Sequence, residues 1–205
     1  MLATRNRDKV FEIKKLLDPS AFEVVSADEI PDLPEVEEDG ATLEENALKK
    51  ARAVARVTGA ITIADDTGLE VHALGGAPGV YSSRYAGEGA SYADNVRKLL
   101  AELQGVPEDK RSARFRCVVA IVDGSHSLTV EGVCEGRITM EPRGSGGFGY
   151  DPVFLEPNSG KTFAEMSPEE KNAVSHRGKA FRKVAEILKN WPTSAGGREG
   201  TSRSR

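Results

Sequence analysis

The run at positions 146–152, Gly-Gly-Phe-Gly-Tyr-Asp-Pro, holds the residues best suited to bind a flat ligand with polar edges. It places Phe148, Tyr150 and Asp151 on a backbone that glycines make flexible and that Pro152 bends. Glycine permits positive φ and close approach by a ligand, and proline keeps the residue before it extended. A ring beside bare amides and a carboxylate can stack on a heterocycle and bond its edge. The alternative is a glycine-rich turn whose two rings belong to the core.

Two adjacent carboxylates, Asp65 and Asp66, follow the apolar run 61–64. We predict that this run is a short buried strand with the carboxylates at its carboxyl end, the edge of an α/β sheet where ligands bind. Adjacent side chains of an extended chain point to opposite sides, so the two carboxylates should have different roles. One could hold a hard cation through oxygen while the other accepts a proton from water. The alternative is a polar turn in which an Asp caps backbone amides.

The acidic segment 35–39 offers further oxygen ligands just before a predicted helix start. In proteins Mg²⁺ takes one or two carboxylates and completes its shell with water and phosphate oxygens. Glu38 is therefore our preferred second metal ligand beside Asp66, with Glu37 behind it. The alternative for each glutamate is a solvated acidic face.

Basic residues lie at predicted helix starts, where free amides and the helix dipole attract phosphate. The segment 4–9, Thr-Arg-Asn-Arg-Asp-Lys, spans a strand-to-helix junction, and Lys9 can reach back to an anion bound there. Lys50 lies on the next helix, and Lys171 precedes the helix start at 175–177. Any single lysine could be only a surface charge, but together they favour a triphosphate pocket.

Composition limits the class of protein. The chain has 205 residues, 39% of them hydrophobic and 29% charged, with a net charge of −4, which is typical of a soluble globular protein and argues against nucleic-acid binding. No run is long enough to span a membrane and no signal peptide is visible, so we expect a cytoplasmic protein. Cys117 and Cys134 lack metal or redox spacing and are expected to be core thiols. We predict one domain over residues 1–192 and a disordered tail over 193–205, rich in Gly, Ser and Arg.

Helix and strand signals alternate along the chain, which predicts an α/β fold. Helices should start after the capping residues Asn6, Thr42, Ser91, Ser167 and Ser175. Strands are expected at 22–26, 61–64, 69–74 and 153–155, and a hairpin should join 115–122 to 128–133. Residues 28–40 should form a proline-rich acidic loop.

Six segments, taken in order over about residues 2–190, form a specific set. They are Thr4-x-Asn6-x-x-Lys9, Glu45-Asn46-Ala47-x-x-Lys50-Ala51, Ala64-Asp65-Asp66-Thr67-Gly68, Gly75-Gly76-Ala77-Pro78-Gly79, Gly147-Phe148-Gly149-Tyr150-Asp151-Pro152 and Lys171-Asn172-Ala173-Val174-Ser175-His176-Arg177. The set resembles the inosine triphosphate pyrophosphatase family, which hydrolyses non-canonical purine nucleoside triphosphates. Arg5 departs from the pattern, because many members have a small residue there, and it could alter the tight turn of the phosphate loop.

The resemblance implies an elongated mixed α/β sheet with flanking helices, in two lobes around a central cleft, and a homodimer. It implies Mg²⁺-dependent hydrolysis of ITP, dITP or XTP between the α- and β-phosphates, giving a nucleoside monophosphate and pyrophosphate. Asp66 would accept the proton of water and contact the metal, with Asp65 supporting it. Phe148 would stack on the base.

The resemblance also implies a set of substrate-binding residues, with a phosphate cradle at the first motif, the base at the Phe148 motif, and a last motif that completes the base and phosphate pocket. The set is Thr4, Arg5, Asn6, Arg7, Asp8, Lys9, Lys50, Thr67, Phe148, Gly149, Tyr150, Asp151, Lys171, His176 and Arg177. Donors at positions 176–177 could bond the carbonyl at C6 of hypoxanthine or xanthine and would face the amino group of adenine donor to donor.

Two alternatives stay open. One is a Maf-like pyrophosphatase that acts on pyrimidine or modified triphosphates. The other is a non-catalytic nucleotide sensor, against which the Asp65–Asp66 pair argues, because a pure binder gains nothing from a second carboxylate near phosphates.

Overall fold

The long strands of a single antiparallel sheet organise the fold. The computed structural model describes residues 1–31, 33, 35–124 and 126–191, in which the sheet has the strand order β2-β1-β3-β4-β5-β6, with each neighbouring pair antiparallel. The strands are β1 (Thr62–Val71), β2 (Pro78–Gly79), β3 (Ser112–Asp123), β4 (His126–Ile138), β5 (Phe154–Glu156) and β6 (Lys161–Thr162). The only parallel pairing in this part of the chain is a pair of isolated bridges from Leu2 to Ser26 and Ile63.

Five α-helices flank the sheet in the described residues, and the predicted capping residues begin all of them. The helices are α1 (Arg7–Leu16), α2 (Leu43–Thr58), α3 (Tyr92–Glu102), α4 (Pro168–Val174) and α5 (His176–Lys189). The side chain of each predicted cap accepts a backbone N–H of its helix, which satisfies a donor that the first turn leaves unpaired. The helix starts predicted from the sequence are therefore confirmed.

Both faces of the central strands are covered. Even-numbered positions of β3 from 118 to 122 pack against α2, whereas odd-numbered positions from 117 to 121 pack against α1 and α5. A third cluster, at the far end of β1 and β4, includes α3 and the aromatic residues Phe115, Phe154 and Phe163. Since successive side chains of a strand point to opposite faces, the helices on the two sides receive alternate residues of one strand. Cys117 and Cys134 are free buried thiols, as expected.

The structure corrects two strand predictions. The expected strands 61–64 and 69–74 merge into one continuous strand, β1, which covers residues 62–71 and runs through Asp65 and Asp66 instead of ending before them. Residues 72–74, expected to belong to the second strand, form a short 3₁₀ helix. The sequence pattern is interrupted by two acids, but both are neutralised by lysines from the flanking helices, so the strand continues while buried. Residues 22–26 do not form a strand, because only Ser26 makes a bridge. The carboxylates consequently do not sit at the edge of a parallel sheet.

Gly132 determines how closely α5 approaches the sheet. A Cβ at this position of β4 would lie 2.1 Å from the carbonyl oxygen of His176 and 2.5 Å from the amide nitrogen of Ala180. Only glycine permits such an approach, so the first turns of α5 lie directly on β4. This contact sets the distance between the sheet and the first residues of α5.

The hairpin of β3 and β4 is confirmed and is longer than predicted, and residues 28–40 are largely irregular. In the described part of the chain, no helix combines the length and the apolar character needed to cross a membrane. The predicted tail, 193–205, lies outside the described residues.

Candidate active site

A cleft of about 550 Å³ opens between the start of α1, the acidic segment, α2, β1, α3 and the loop that precedes β5. Its volume is in the range of pockets that hold small ligands. The predicted site residues that line it are Thr4, Arg5, Asn6, Lys9, Glu38, Lys50, Asp66, Thr67, Phe148, Gly149, Tyr150, Asp151, Lys171, His176 and Arg177. Those outside its lining are Arg7, Asp8, Glu37 and Asp65.

Asp65 and Asp66 point to opposite faces of β1, as predicted. Asp65 is 1% exposed and contacts Lys9 Nζ at 2.9 Å and Arg177 Nη2 at 3.4 Å. Burial alone would raise the pKa of Asp65, but the cations Lys9, Arg177 and Lys50 outweigh it and hold that pKa far below its usual value. Asp65 therefore stays ionised and anchors two cationic side chains from beneath the cleft.

Asp66 faces α2 and reaches the cleft. It is 6% exposed, its Oδ2 accepts a hydrogen bond from Asn46 Nδ2 at 3.1 Å, and its Oδ1 lies 3.3 Å from Lys50 Nζ. Burial raises the pKa of Asp66 above its usual value, although the nearby lysines oppose the shift. A carboxylate whose basicity is raised in this way is better matched to proton acceptance near neutral pH.

The acidic segment brings one glutamate, not two, to Asp66. Glu38 Oε1 accepts a hydrogen bond from Lys50 Nζ at 2.8 Å, while the Glu38 carbonyl accepts one from Arg84 Nη2 at 2.9 Å. Glu37 is exposed and does not line the cleft. Of these two neighbours, only Glu38 lines the cleft and reaches the Lys50 ammonium.

Arg5 leaves the turn before α1 intact. Its Nη2 donates to the carbonyl of Leu33 at 2.7 Å, so the large side chain supports the acidic segment from outside the turn. The Asn6 side chain still accepts from the amides of Asp8 and Lys9, at 3.0 and 3.1 Å. The expected free amides at these two positions are therefore already bonded, and the side chain of Lys9 brings a positive charge from the first turn of α1 to the cleft.

The glycine-rich loop presents an aromatic platform, the Phe148 ring, with two cationic groups over it. Lys171 Nζ lies 5.1 Å and Arg177 Cζ 5.5 Å from the centre of the Phe148 ring. Asp151 accepts from the Phe148 amide at 2.8 Å and from Lys171 Nζ at 2.5 Å. Gly147 has φ +68°, and a Cβ there would lie 2.0 Å from Asp151 Oδ2. The glycine is thus needed for the carboxylate to hold the loop.

The Tyr150 ring belongs to the core, as the alternative interpretation of the glycine-rich run as a turn predicts. Its ring is buried in the core and its hydroxyl donates to the carbonyl of Ser82 at 2.9 Å. One ring of the motif is therefore structural, and the other, Phe148, is half-buried at the cleft.

The residues at the start of α5 line the cleft and hold two buried polar atoms that are unpaired in the described part of the chain. His176 is buried against the Phe115 ring, with centroids 4.5 Å apart. Burial lowers the pKa of His176 well below its usual range, and Arg177 and Lys171 lower it further, so the ring is neutral at neutral pH. His176 Nδ1 and Arg177 Nε are buried without a hydrogen-bond partner among the described residues. Buried polar atoms normally have partners, so these two are available to a polar ligand.

Sequence reasoning missed two residues that organise the site. Glu12 on α1 accepts from Lys171 Nζ and Arg177 Nη1, each at 2.6 Å, but nothing in the local sequence marks it. Asn46 bonds both the amide of Gly40 and the carboxylate of Asp66. Asn46 could have been found, because it lies one turn before Lys50 on the otherwise apolar buried face of α2.

Comparison with known proteins gives one consistent result. A model described as the Ham1 family matches residues 1–187. A curated dITP/XTP pyrophosphatase of Desulforamulus reducens is 55% identical over 189 residues, which cover 92% of this chain and 94% of that protein. A dITP/XTP pyrophosphatase of Bacillus subtilis is 48% identical, covering 92% and 96%. The solved structure of a HAM1 protein from Coxiella burnetii is 43% identical, with a TM-score of 0.84 and coverage of 92% and 97%.

Replacing Glu12 by Gln should destabilise the protein in a pH-dependent way. Burial alone would raise the pKa of Glu12, but Arg177 and Lys171 outweigh it, so the folded-state pKa lies below the ordinary 4.5. Its stabilising contribution is therefore complete above pH 4.5 and disappears as the pH falls through the lower folded-state value. We expect Glu12→Gln to cost about 3 kcal/mol at neutral pH, because it leaves two buried cations underpaired.

Urea unfolding of Glu12→Gln and wild type across a pH series measures this difference. Glu169→Gln is the matched control, since Glu169 is an exposed partner of Lys15 and exposed ion pairs contribute little to stability. A Glu12→Gln deficit that is equally large well below pH 4.5 would mean that packing, not charge, carries the effect.

Proposed function

The chain belongs to the Ham1 family, and on that premise we propose that it hydrolyses the non-canonical purine nucleoside triphosphates ITP, dITP and XTP to monophosphate and pyrophosphate. It is a nucleoside triphosphate pyrophosphatase, as its dITP/XTP pyrophosphatase relatives indicate. The observation that carries the proposal is a single cleft that joins the carboxylate of Asp66 to the Phe148 platform through cationic side chains. The names of these relatives give no support to the Maf-like alternative.

Base recognition is proposed at Phe148, His176 and Arg177. The base stacks on the ring of Phe148, where a flat π-face is worth roughly 1–3 kcal/mol. The unpaired Arg177 Nε is a donor suited to a purine carbonyl, and an adenine amino group would leave it unpaired. His176, held neutral and stacked on Phe115, can offer a ring nitrogen without adding charge.

Phosphate recognition is proposed at Lys9, Lys50 and Lys171. Each of these ammonium groups is already paired with a buried or half-buried carboxylate in the cleft. A bound triphosphate would therefore replace carboxylates as the partner of these ammonium groups. The lysines are already held in the cleft by those carboxylates, which limits the desolvation penalty of bringing the positive charges there.

The residues present also fit a divalent cation, which we propose to be Mg²⁺. Glu38 Oε1 and Asp66 Oδ1 both lie within 3.3 Å of one point, the Lys50 ammonium, and two such carboxylates match the donor set of Mg²⁺. When bound, Mg²⁺ would neutralise charge on the phosphate oxygens. Asp66 itself accepts the proton of the attacking water, while Asn46 holds the carboxylate in place from its other oxygen.

Pyrophosphate release from ITP, XTP, dITP, GTP, ATP and dTTP, each with and without Mg²⁺, tests the proposed function. We expect release from the first three substrates, dependent on Mg²⁺. Preferred release from dTTP would support the Maf-like alternative, and binding of ITP without release would support a nucleotide sensor.

The protein is further proposed to act as a cytoplasmic homodimer on free nucleotides, not on nucleic acid. A surface groove beside the start of α2 is lined by Val80, Tyr81, Val118 and Val130, and Tyr81 is 59% exposed. The same groove is lined by the charged residues Glu70, Arg116 and Glu131, and a surface of mixed apolar and charged residues around an exposed ring suits a second copy of the chain. We expect light scattering to give twice the mass of one chain for wild type and a lower average mass for Tyr81→Ser. A wild-type mass of one chain would contradict the dimer.

Replacing Asp66 by Asn should lower kcat for ITP about a hundredfold or more while preserving the fold, because an amide cannot accept the proton. Steady-state kinetics and circular dichroism measure the two effects. Asp39→Asn is the matched control, since Asp39 belongs to the same acidic segment but pairs with Lys49 at the surface. Near wild-type turnover by a folded Asp66→Asn protein would remove Asp66 from the mechanism.

Replacing Phe148 by Ala should raise KM for ITP about tenfold or more, with a smaller change in kcat, because stacking contributes to binding of the base. Phe11→Ala serves as control, since that ring is exposed on α1. If kcat collapsed while KM held steady, stacking would be the wrong role for Phe148.

A further inference from the structure

Lys50 holds together the two carboxylates proposed to bind the metal. Its side chain is buried, and its Nζ contacts Glu38 Oε1 at 2.8 Å, Asp66 Oδ1 at 3.3 Å and the Asp65 carbonyl oxygen at 2.8 Å. These three oxygens come from the acidic segment and from two adjacent residues of β1. Two carboxylates and a carbonyl gathered round one positive charge form the kind of oxygen set that a hard cation takes.

Without a cation at this point, the two carboxylates would repel each other. The Asp66 side chain is 8% exposed and the Glu38 side chain is 34% exposed, so the buried charge of Asp66 in particular needs a partner, and a second like charge at short range is costly. The Lys50 ammonium therefore does more than cancel one charge, because it allows Glu38 and Asp66 to approach the same point.

The backbone of Glu38 and the carboxylate of Asp66 are also held by bonds that do not involve Lys50. Arg84 Nη2 donates to the Glu38 carbonyl at 2.9 Å, and Asn46 Nδ2 donates to Asp66 Oδ2 at 3.1 Å. The Asp66 carboxylate and the backbone that carries Glu38 can consequently keep their positions if the ammonium moves and another cation takes its place. Lysine suits such a movement, because it is a compact charge on a flexible stem.

We propose that Lys50 is a stand-in cation: in the metal-free protein its ammonium occupies the position between Glu38 and Asp66 for which a divalent cation competes. This inference rests on the proposed Mg²⁺ dependence. It makes Lys50 a positioning residue for the two carboxylates, in addition to its proposed contact with substrate phosphate. It also explains why a lysine lies between the proposed metal ligands.

The test measures stability, not turnover. Lys50→Met, freed of metal with a chelator that is then removed, is heated over a MgCl₂ titration at constant ionic strength. Without Mg²⁺ its Tm should fall by about 6 °C or more, because the buried Asp66 and the half-buried Glu38 lose their shared cation. Mg²⁺ should restore the Tm, and the apparent Mg²⁺ affinity should be roughly threefold or more above wild type, because the competitor is gone.

Two further variants show whether the change in Tm and its reversal by Mg²⁺ arise at the position of the Lys50 ammonium. Lys49→Met is the matched control, because Lys49 is the preceding residue of α2 and pairs with Asp39 at the surface. It should change neither the Tm nor the Mg²⁺ response by much. In Lys50→Met/Asp66→Asn, one of the two repelling charges is removed, so the Tm without Mg²⁺ should recover and the Mg²⁺ response should shrink.

The inference is overturned if Mg²⁺ stabilises Lys50→Met no more than wild type, or if NaCl restores its Tm equally well. It is also overturned if Lys50→Met and Lys50→Gln both fail to fold in the presence of Mg²⁺, because the cation should replace the ammonium. Pyrophosphate release by wild type distinguishes a failure of the proposed Mg²⁺ dependence from a failure of the proposed role of Lys50. Release without Mg²⁺ contradicts the proposed cofactor, whereas Mg²⁺-dependent release without the stability pattern contradicts only the role of Lys50.

Discussion

The site depends on two ionised side chains in adjacent positions of a strand that is buried on both faces. Strand geometry sends Asp65 towards α1 and α5 and Asp66 towards α2, so each carboxylate meets its own set of cations. Placing both on one face would bring two buried charges together. The strand thus separates a permanent anion, Asp65, from a more basic carboxylate that reaches the cleft, Asp66.

A chain of ion pairs links the start of α1, at one end of the cleft, to the Phe148 loop at the other end. Lys9 and Arg177 share Asp65, Arg177 and Lys171 share Glu12, and Lys171 continues to the carboxylate that holds the Phe148 loop. Because removing one member leaves its neighbours underpaired, such a network resists small rearrangements. The proposed phosphate end and base end of the site are therefore held at a fixed separation, which suits an enzyme that recognises a whole nucleotide.

Close backbone contacts support the same arrangement. Gly132 lets the start of α5 rest on β4, and Gly147 makes room for the carboxylate of Asp151. Both glycines lie away from the proposed reacting groups, yet each sets the position of a side chain that lines the cleft. In this Ham1 family protein, selectivity for a base is thus expected to depend on packing behind the pocket as well as on His176 and Arg177.

The sequence by itself determined the helix starts, the β3–β4 hairpin, the family and about half of the residues that line the cleft. Helix caps and hairpin turns depend on three or four neighbouring residues, so they can be predicted without knowing the packing. The family can be predicted in the same way, because the six motifs are recognised by their residues and by their order along the chain. The opposite orientations of Asp65 and Asp66 follow equally from strand geometry.

Only the tertiary structure decided which polar groups meet. It showed that β1 continues through the two acids, because cations from distant helices neutralise them. It brought Glu12 to Lys171, 159 positions away, turned Glu38 but not Glu37 inwards, and buried Tyr150. Periodicity describes the faces of one element, whereas a buried charge is stable only through partners on other elements, and those partners are set by packing.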